Sequence, residues 1–351
     1  MKPARLPSDM PGLTSHWYRN SWVSTLLAPL AVAFGAVVAM RRFLFELGVM
    51  RTHRVAAPVV IVGNVSVGGT GKTPLVAWLA HRLTERGRCV GIVTRGYGGT
   101  STSVCEVPPG GDPAALGDEA VLLARRSGCP VWRGADRVAA AKALIAAHPT
   151  IDCILSDDGL QHYRLARDVE LVVIDGARGF GNGMLLPAGP LREPLSRLEQ
   201  VDAMVINGPT SLRLPAGHAM RLDGTRLVSM TQSHRLRSLG EVAGRRCHAV
   251  AGIGNPARFF AALRAHGLDV VEHPFGDHHR YRPEDLDFGD DRPVVMTEKD
   301  AVKCFAFARE HWWYLPVSAV LDEALVDVVL ARLPGGGGRD GRDRIEPGST
   351  E

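Results

Sequence analysis

The stretch Val59–Pro74, reading V-V-I-V-G-N-V-S-V-G-G-T-G-K-T-P, constrains the fold more than any other part of the chain. An apolar run, a glycine-rich loop, Lys72-Thr73 and a helix-forming stretch follow in that order. This is the order of a phosphate loop for a nucleoside triphosphate. Glycines let backbone N–H groups converge on phosphate oxygens, the lysine reaches the β- and γ-phosphates, and the threonine hydroxyl ligates Mg²⁺. The following helix aims its positive N-terminus at the anion. Ser66, Val67, Gly68, Gly69, Thr70, Gly71, Lys72 and Thr73 are therefore the expected nucleotide site. One position departs from the pattern G-x-x-x-x-G-K-[ST]: where its first glycine belongs, five before Gly71, the chain has Ser66.

A loop of this kind needs a buried strand before it and a helix after it, and the rest of the chain repeats that alternation. Val59–Val62 reads as a strand, and Pro74–Arg86 has apolar residues at Leu75, Val76, Leu79 and Leu83, a helical period. Strands are expected at 89–94, 151–155, 171–174 and 201–206, and helices at 120–126 and 135–147. Continuous apolar strands alternating with helices imply a parallel α/β sheet with ligands at the strand C-terminal ends. Near 220–230 the pattern changes. Asp223-Gly224 lies between two alternating runs and reads as a hairpin joining two α/β domains. Further strands are expected at 247–251, 268–273 and 294–297, with a helix at 257–266. At 351 residues the chain suits two domains. The expected division is an N-terminal anchor and surface helix over 1–54, a phosphate-loop kinase domain over 55–215, a β-hairpin linker over 216–235, a C-terminal α/β domain over 236–333 and a disordered tail over 334–351.

Composition narrows the partners. A net charge of +4 is mild, and aromatic residues are sparse with no basic-aromatic interleaving, so nucleic acid is not an expected partner. The six cysteines stand apart with no C-x-x-C pair, which argues against a zinc site or a disulfide framework. No feature specifies an oligomeric state. From Trp22 to Met40 there is no charged residue, and these 19 residues come close to the ~20 needed to span a bilayer. Arg19 precedes the run, Arg41-Arg42 follow it, and Trp17 and Trp22 are placed for an interface. The reading is a membrane anchor; a cleaved signal peptide and a buried or surface-inserted helix are the alternatives. A phosphate loop needs nucleotide, so the domains are expected on the cytoplasmic side of the inner membrane.

Candidate chemistry lies at strand ends and loops. Phosphoryl transfer needs metal ligands, a group that orients or deprotonates the acceptor, and cations for developing charge. Asp157-Asp158-Gly159 follows an expected strand, where a metal-holding carboxylate sits, with Gln161 and His162 on the same edge; Asp175 is the rival. Gly117-Asp118-Glu119 reads, on pattern alone, as a helix start with an acidic first turn. Asp277 beside His278 suits an oriented imidazole acting as proton acceptor. Leu185–Pro194 holds Arg192 and Glu193 on a proline-stiffened loop, suited to clamping a phosphate.

Taken together these segments resemble the tetraacyldisaccharide 4'-kinase, or lipid A 4'-kinase, family. The resemblance runs from the N-terminal anchor to about Lys303. Its stretches stand here as G-N-V-S-V-G-G-T-G-K-T-P, T-R-G-Y-G-G, G-D-E, D-D-G-L-Q-H, G-N-G-M-L-L-P-A-G-P-L-R-E-P, A-G-I-G-N-P-A-R-F-F, F-G-D-H-H-R-Y and M-T-E-K-D-A-V-K. Ser66 is usual in this family; Gly276 and Ala120 stand where proline is common. The resemblance implies two α/β domains joined by a two-stranded linker. It also implies ATP and Mg²⁺ as cofactors, and transfer of the γ-phosphate to the 4'-hydroxyl of an acylated glucosamine disaccharide 1-phosphate in the membrane. Lys72 and Thr73 then serve the phosphate loop, and Asp118 with His278 activates the sugar hydroxyl. Lys72 and Asp277 complete the expected catalytic set. Thr73, Asp157, Asp158, Glu119 and Gln161 are the expected metal side. Arg95, Tyr97, Arg137, His162, Arg192, Glu193 and Asn207 are the expected substrate side. The rival function is a membrane-associated nucleotide switch of the partitioning type, which carries a lysine where Val67 stands. A scaffold with a relic loop is a second rival, against which Lys72, Thr73, Asp118, Asp158 and His278 stand together.

Overall fold

The computed structural model describes residues 15–19, 21–212, 214 and 217–333. The expected tail at 334–351 and the first fourteen residues of the expected anchor segment lie outside the described residues. The strands Val59–Gly63, Val90–Thr94, Cys153–Asp157 and Val169–Asp175 are buried at every position. Burial on both faces is what a continuous apolar run encodes. They form the middle of a nine-stranded sheet. Its order is Ser318–Val320, His218–Asp223, Ala203–Asn207, Val169–Asp175, Val59–Gly63, Cys153–Asp157, Val90–Thr94, Val131–Arg133, Cys105–Glu106. All neighbours pair parallel except the outermost strand at each edge.

Alternation along Val59–Gly63 sends side chains to two cores. Val60 and Val62 meet Leu75, Leu79 and Leu83 of the helix Lys72–Glu85, while Val59 and Ile61 meet Val138 and Leu144 of the helix Arg137–Ala147. Each fully buried leucine contributes roughly 1.5–3 kcal/mol. A second sheet runs Leu236–Ser238, Arg226–Ser229, Trp312–Leu315, Val294–Thr297, Arg246–Ala251, Asp269–Pro274. Phe259, Phe260 and Leu263 of the helix Pro256–Ala265 cover one face, and Trp312 and Met296 sit in the core on the other. The architecture is thus two α/β units, as the strand-helix alternation implied.

The connection between the units differs from a hairpin. Strands do flank Asp223-Gly224, but they do not pair with each other. His218–Asp223 extends the large sheet, and Arg226–Ser229 pairs within the small one. The chain crosses back between Leu315 and Ser318, so two crossings lie side by side. A Cβ on Gly224 would come within 2.6 Å of the Pro316 carbonyl, which shows how closely they approach. Each strand instead has partners on both sides within its own sheet, which satisfies its backbone N–H and C=O groups. The expected C-terminal boundary at 333 also changes. Ala319, Leu325, Val326 and Val329 pack into the same core as Leu75, so the last strand and the helix Ala324–Arg332 belong to the first unit. Their apolar face matches that core, and Arg86 pairs with Glu323 and Asp327 above it.

The N-terminal apolar run forms one helix, Trp22–Glu46, capped by Ser21. It is the one helix, among the described residues, long and apolar enough to cross a membrane. It lies along the large-sheet unit. Near its start Asn182 donates to Ser24 (3.2 Å) and Trp17 to the Pro187 carbonyl (2.9 Å). Near its end Arg42 donates to Gln200 (2.8 Å) and Phe45 meets Tyr163. Trp22, Leu26, Leu30, Val37, Met40 and Phe43 remain exposed.

Candidate active site

The phosphate loop is built from restraints on each side. Gly68 and Gly71 take positive φ (105° and 97°), whereas Ser66 does not. Ser66 instead forms a β-bridge with Leu191, and Val67 N–H donates to the Pro190 carbonyl (2.8 Å). A serine is therefore compatible at this position: the backbone there never needs glycine's freedom. Asn64 donates to the Ser66 carbonyl (2.6 Å) and Asn207 to the Thr70 carbonyl (2.9 Å), while Arg178 donates to Gly69 O. A Cβ on Gly71 would sit 2.4 Å from the Asn207 amide, so this position requires glycine twice over. Gly71 caps the helix without a side-chain acceptor, leaving first-turn N–H groups free for an anion.

Lys72 Nζ lies 3.3 Å from Asp158 Oδ1, and Arg192 Nη1 is 3.3 Å from both oxygens of the same carboxylate. Burial pushes Asp158 up, but Lys72 and Arg192 outweigh it and hold the carboxyl at about 2. Asp157 ends its strand, fully buried, with neither carboxylate oxygen hydrogen-bonded. Burial first, then the charge of Glu119, pushes it up to about 7. A buried carboxylate with both oxygens unpartnered is an oxygen donor of the kind that suits Mg²⁺. Arg137, deeply buried, donates to the Ala135 and Asp158 carbonyls (both 3.3 Å), and burial lowers its pKa. His162 is pushed down to about 4 by burial and by Arg137, so it is neutral near pH 7.

The second half of the site joins the two units. The helix Asp118–Ser127 begins at Gly117, whose φ is 97° and whose Cβ would meet Tyr97 O at 2.7 Å. Asp118 is 4% exposed, and its carboxylate oxygens lie 3.0 and 3.1 Å from Nδ1 of His278. Burial raises Asp118, but the His278 hydrogen bond, Lys299 and Lys303 lower it further. Burial lowers His278, but its bond to Asp118 prevails and leaves the imidazole above its ordinary value. Tyr97 packs edge-on against the His278 ring (4.8 Å). Among the described residues only Asp158 and His278 take positive φ without being glycine (50° and 61°), and both are site residues.

Several expected side chains are placed differently from the sequence reading. Asp277 is not the carboxylate on Nδ1 of His278; it lies 3.8 Å from Nε2 and accepts from Lys299 (3.2 Å). Glu119 also accepts from Lys299 (2.9 Å). Gln161 donates to the Asn64 carbonyl (3.0 Å). Glu193, expected to face substrate, is 1% exposed, bonded by Tyr163 (2.6 Å) and paired with Arg197 (3.5 Å). Burying a carboxylate requires partners, and that network supplies them. Asn207, also expected on the substrate side, supports the phosphate loop and accepts from Arg258 (3.0 Å). Asp175 caps Ala177 and Arg178 and pairs with Arg178 (3.1 Å), which removes it as a metal rival. Arg95 is exposed on the loop after Val90–Thr94. Lys299, Lys303, Arg178 and Arg258 were not expected in the site. The i, i+4 lysine pair directly after a buried strand was the available signal for the first two.

A cleft of about 310 Å³ runs between the units, lined by Gly69–Thr73, Glu119, Asn207, Ile253, Arg258, Phe259 and Lys299. Its phosphate-loop end is polar, while Leu222, Phe259 and Val317 give the rest an apolar wall that suits a flat base.

Residues 23–334 match the family described as LpxK: Tetraacyldisaccharide-1-P 4'-kinase. The chain is 49% identical over 321 residues to the tetraacyldisaccharide 4'-kinase of Methylobacillus flagellatus, covering 92% of this chain and 95% of that one. It is 50% identical over 330 residues to the protein of that name from Alkalilimnicola ehrlichii, covering 92% and 98%. Among solved structures it resembles the "apo" form LpxK from Aquifex aeolicus in complex with ATP. The TM-score is 0.73 at 26% identity, covering 89% of this chain and 99% of that one.

Proposed function

Because the chain belongs to the tetraacyldisaccharide-1-P 4'-kinase family, we propose that the cleft between its units moves the γ-phosphate of ATP onto the sugar 4'-hydroxyl through Lys72, Asp118 and His278. The chain is a phosphotransferase acting on a hydroxyl group of a lipid A precursor, and it binds ATP. The nucleotide-switch alternative is set aside by the same family membership.

The residue roles follow from position. ATP phosphates lie over Gly68–Thr73, whose free N–H groups and Lys72 stabilise charge on the γ-phosphoryl group. Thr73 and Asp157 would hold Mg²⁺. When bound, the metal neutralises charge on the phosphate oxygens. Arg192 and Arg137 supply further cations at that end. Asp118 takes the proton as the 4'-oxygen bonds to phosphorus and the bond to the β-phosphate oxygen breaks, releasing ADP. His278 orients that carboxylate. Tyr97 and Arg95 border the acceptor side. The observation that carries this reading is the 3.0 Å contact between Asp118 and His278, one from each unit, beside a cleft lined by the phosphate loop.

The helix Trp22–Glu46, about 37 Å long by its residue count, lies on the cytoplasmic face of the membrane rather than crossing it. Contacts at Ser24 and Phe45, about 31 Å apart, hold both ends to the body, so a crossing helix would draw the body into the hydrocarbon. Its exposed Trp22, Leu26, Leu30 and Phe43 face the acyl chains instead. One experiment tests the whole reading. Purified protein is incubated with labelled ATP, Mg²⁺ and acylated disaccharide 1-phosphate in vesicles, and the phosphorylated hydroxyl is identified. Label on the 4'-oxygen is expected, with loss of vesicle flotation in a Leu26→Glu, Leu30→Glu variant. ATP turnover indifferent to the acceptor would sink the kinase roles, and unchanged flotation would sink the membrane face.

A further inference from the structure

The helix Glu298–Cys304 follows the buried strand Val294–Thr297 and carries Lys299 and Lys303 one turn apart, facing the acidic start of Asp118–Ser127. Lys303 pairs with Asp300 (2.8 Å) and stands 3.9 Å from Asp118. Lys299 makes three contacts at once. Its Nζ donates to Glu119 (2.9 Å) on one unit and to Asp277 (3.2 Å) on the other, and lies 3.4 Å from Nε2 of His278. It is mostly buried, and none of these contacts is repeated by another lysine among the described residues.

We propose that Lys299 is a positioning residue for the transfer: its ammonium holds the His278 ring at Nε2, with Nδ1 turned to Asp118, and ties the His278 loop to the helix that carries Asp118 and Glu119. The inference rests on the assignment of Asp118 and His278 to acceptor activation. An ammonium at Nε2 needs a lone pair there, so it favours the neutral ring with its proton on Nδ1, shared toward Asp118. It also opposes a second proton on the ring by like charge. The groups facing His278 are Asp118 on the first unit's helix, Asp277 on its own loop, Lys299 on the following helix and the Tyr97 ring. Removing the Lys299 charge leaves Asp277 and Asp118 to favour the imidazolium. A ring that stays cationic weakens Asp118 as a proton acceptor.

The test uses full-length protein in detergent, labelled with ¹⁵N-histidine, as wild type, Lys299→Gln and Lys299→Arg. The His278 resonance is assigned by its absence in His278→Ala and titrated from pH 5 to 9. In Lys299→Gln its midpoint is expected to rise by about one unit, and kcat at pH 7 to fall by up to about tenfold with KM for ATP within about threefold. The acid limb of the pH–rate profile should move up with the midpoint, and Lys299→Arg should restore both. An unchanged midpoint in Lys299→Gln overturns the proposal. So does an equal loss of rate at every pH accompanied by a lowered Tm, which is the mark of a merely structural lysine. A midpoint that moves while the rate profile stays put leaves the Lys299 contact intact and instead breaks the acceptor-activation role of His278.

Discussion

The two halves of the site are assembled differently. The phosphate loop belongs to the large-sheet unit, and Asn64, Asn207, Pro190 and Arg178 of that unit hold its carbonyls and N–H groups. The acceptor half exists only where two units meet: Asp118 and Glu119 come from one, His278, Lys299 and Lys303 from the other. The donor half is thus preorganised by local folding. The acceptor half depends on a domain contact that charge pairs hold together. Arg126 strengthens that contact by donating to Glu298 (2.6 Å) of the other unit, and it also donates to the Val317 carbonyl at the crossing. On the proposed roles, nucleotide binding and hydroxyl activation should be separable by mutation, although they share one cleft.

The comparison can be broken most forcefully at the donor side. Lys72→Ala removes the cation beside Asp158 that is proposed to stabilise the γ-phosphate, so transfer should drop by about 10³-fold or more. Steady-state phosphorylation of the lipid acceptor checks this, and a loss under tenfold would contradict the role of the loop. Next in size is Asp118→Asn. Here kcat should fall roughly 10²- to 10³-fold with ATP affinity within about twofold, because its partner is a group of the other unit rather than the nucleotide. Equilibrium ATP binding together with kcat decides it; equal losses in both would merge the two halves into one.

The smallest expected effect is on stability against pH. Asp118 is lowered from 3.8, so its contribution is present above 3.8 and is lost as pH falls through the depressed folded value. His278 is raised from 6.5, so its contribution is present below 6.5 and is lost as pH rises through the raised folded value. The pair therefore supports closure fully between those limits. The Tm gap between wild type and Asp118→Asn should be widest near pH 5 to 6 and narrow on the alkaline side, by a few degrees at most. A gap that widens steadily up to pH 9 would reverse the signs assigned here.

Legibility in the sequence followed contact distance along the chain. The strand at Val59, the loop through Thr73 and the helix after it were readable because apolar period, glycine placement and Lys72 act over a few residues. Asp157 was readable as a strand-end carboxylate for the same reason. The hairpin at Asp223-Gly224 was misread because its two alternating runs each had a better partner elsewhere, one on either sheet. Glu193 and Asn207 were read by type and neighbourhood. Their actual contacts, Tyr163 and Thr70, lie 30 and 137 positions away.

Apolar runs and turn chemistry settle which segments become strands, loops and helices, since those forces are local. That settles the parallel sheet, the phosphate loop and the apolar helix at Trp22–Glu46. Nothing local brings Asp118 to His278 across 160 positions, or places Lys299 between Glu119 and Asp277. Those contacts arise because Ser318–Val320 and the final helix return to the first unit, leaving two crossings that set one domain's helix against the other's. Burial then decides which charges stay ionised and which way the imidazole points, and burial is a property of the assembled fold.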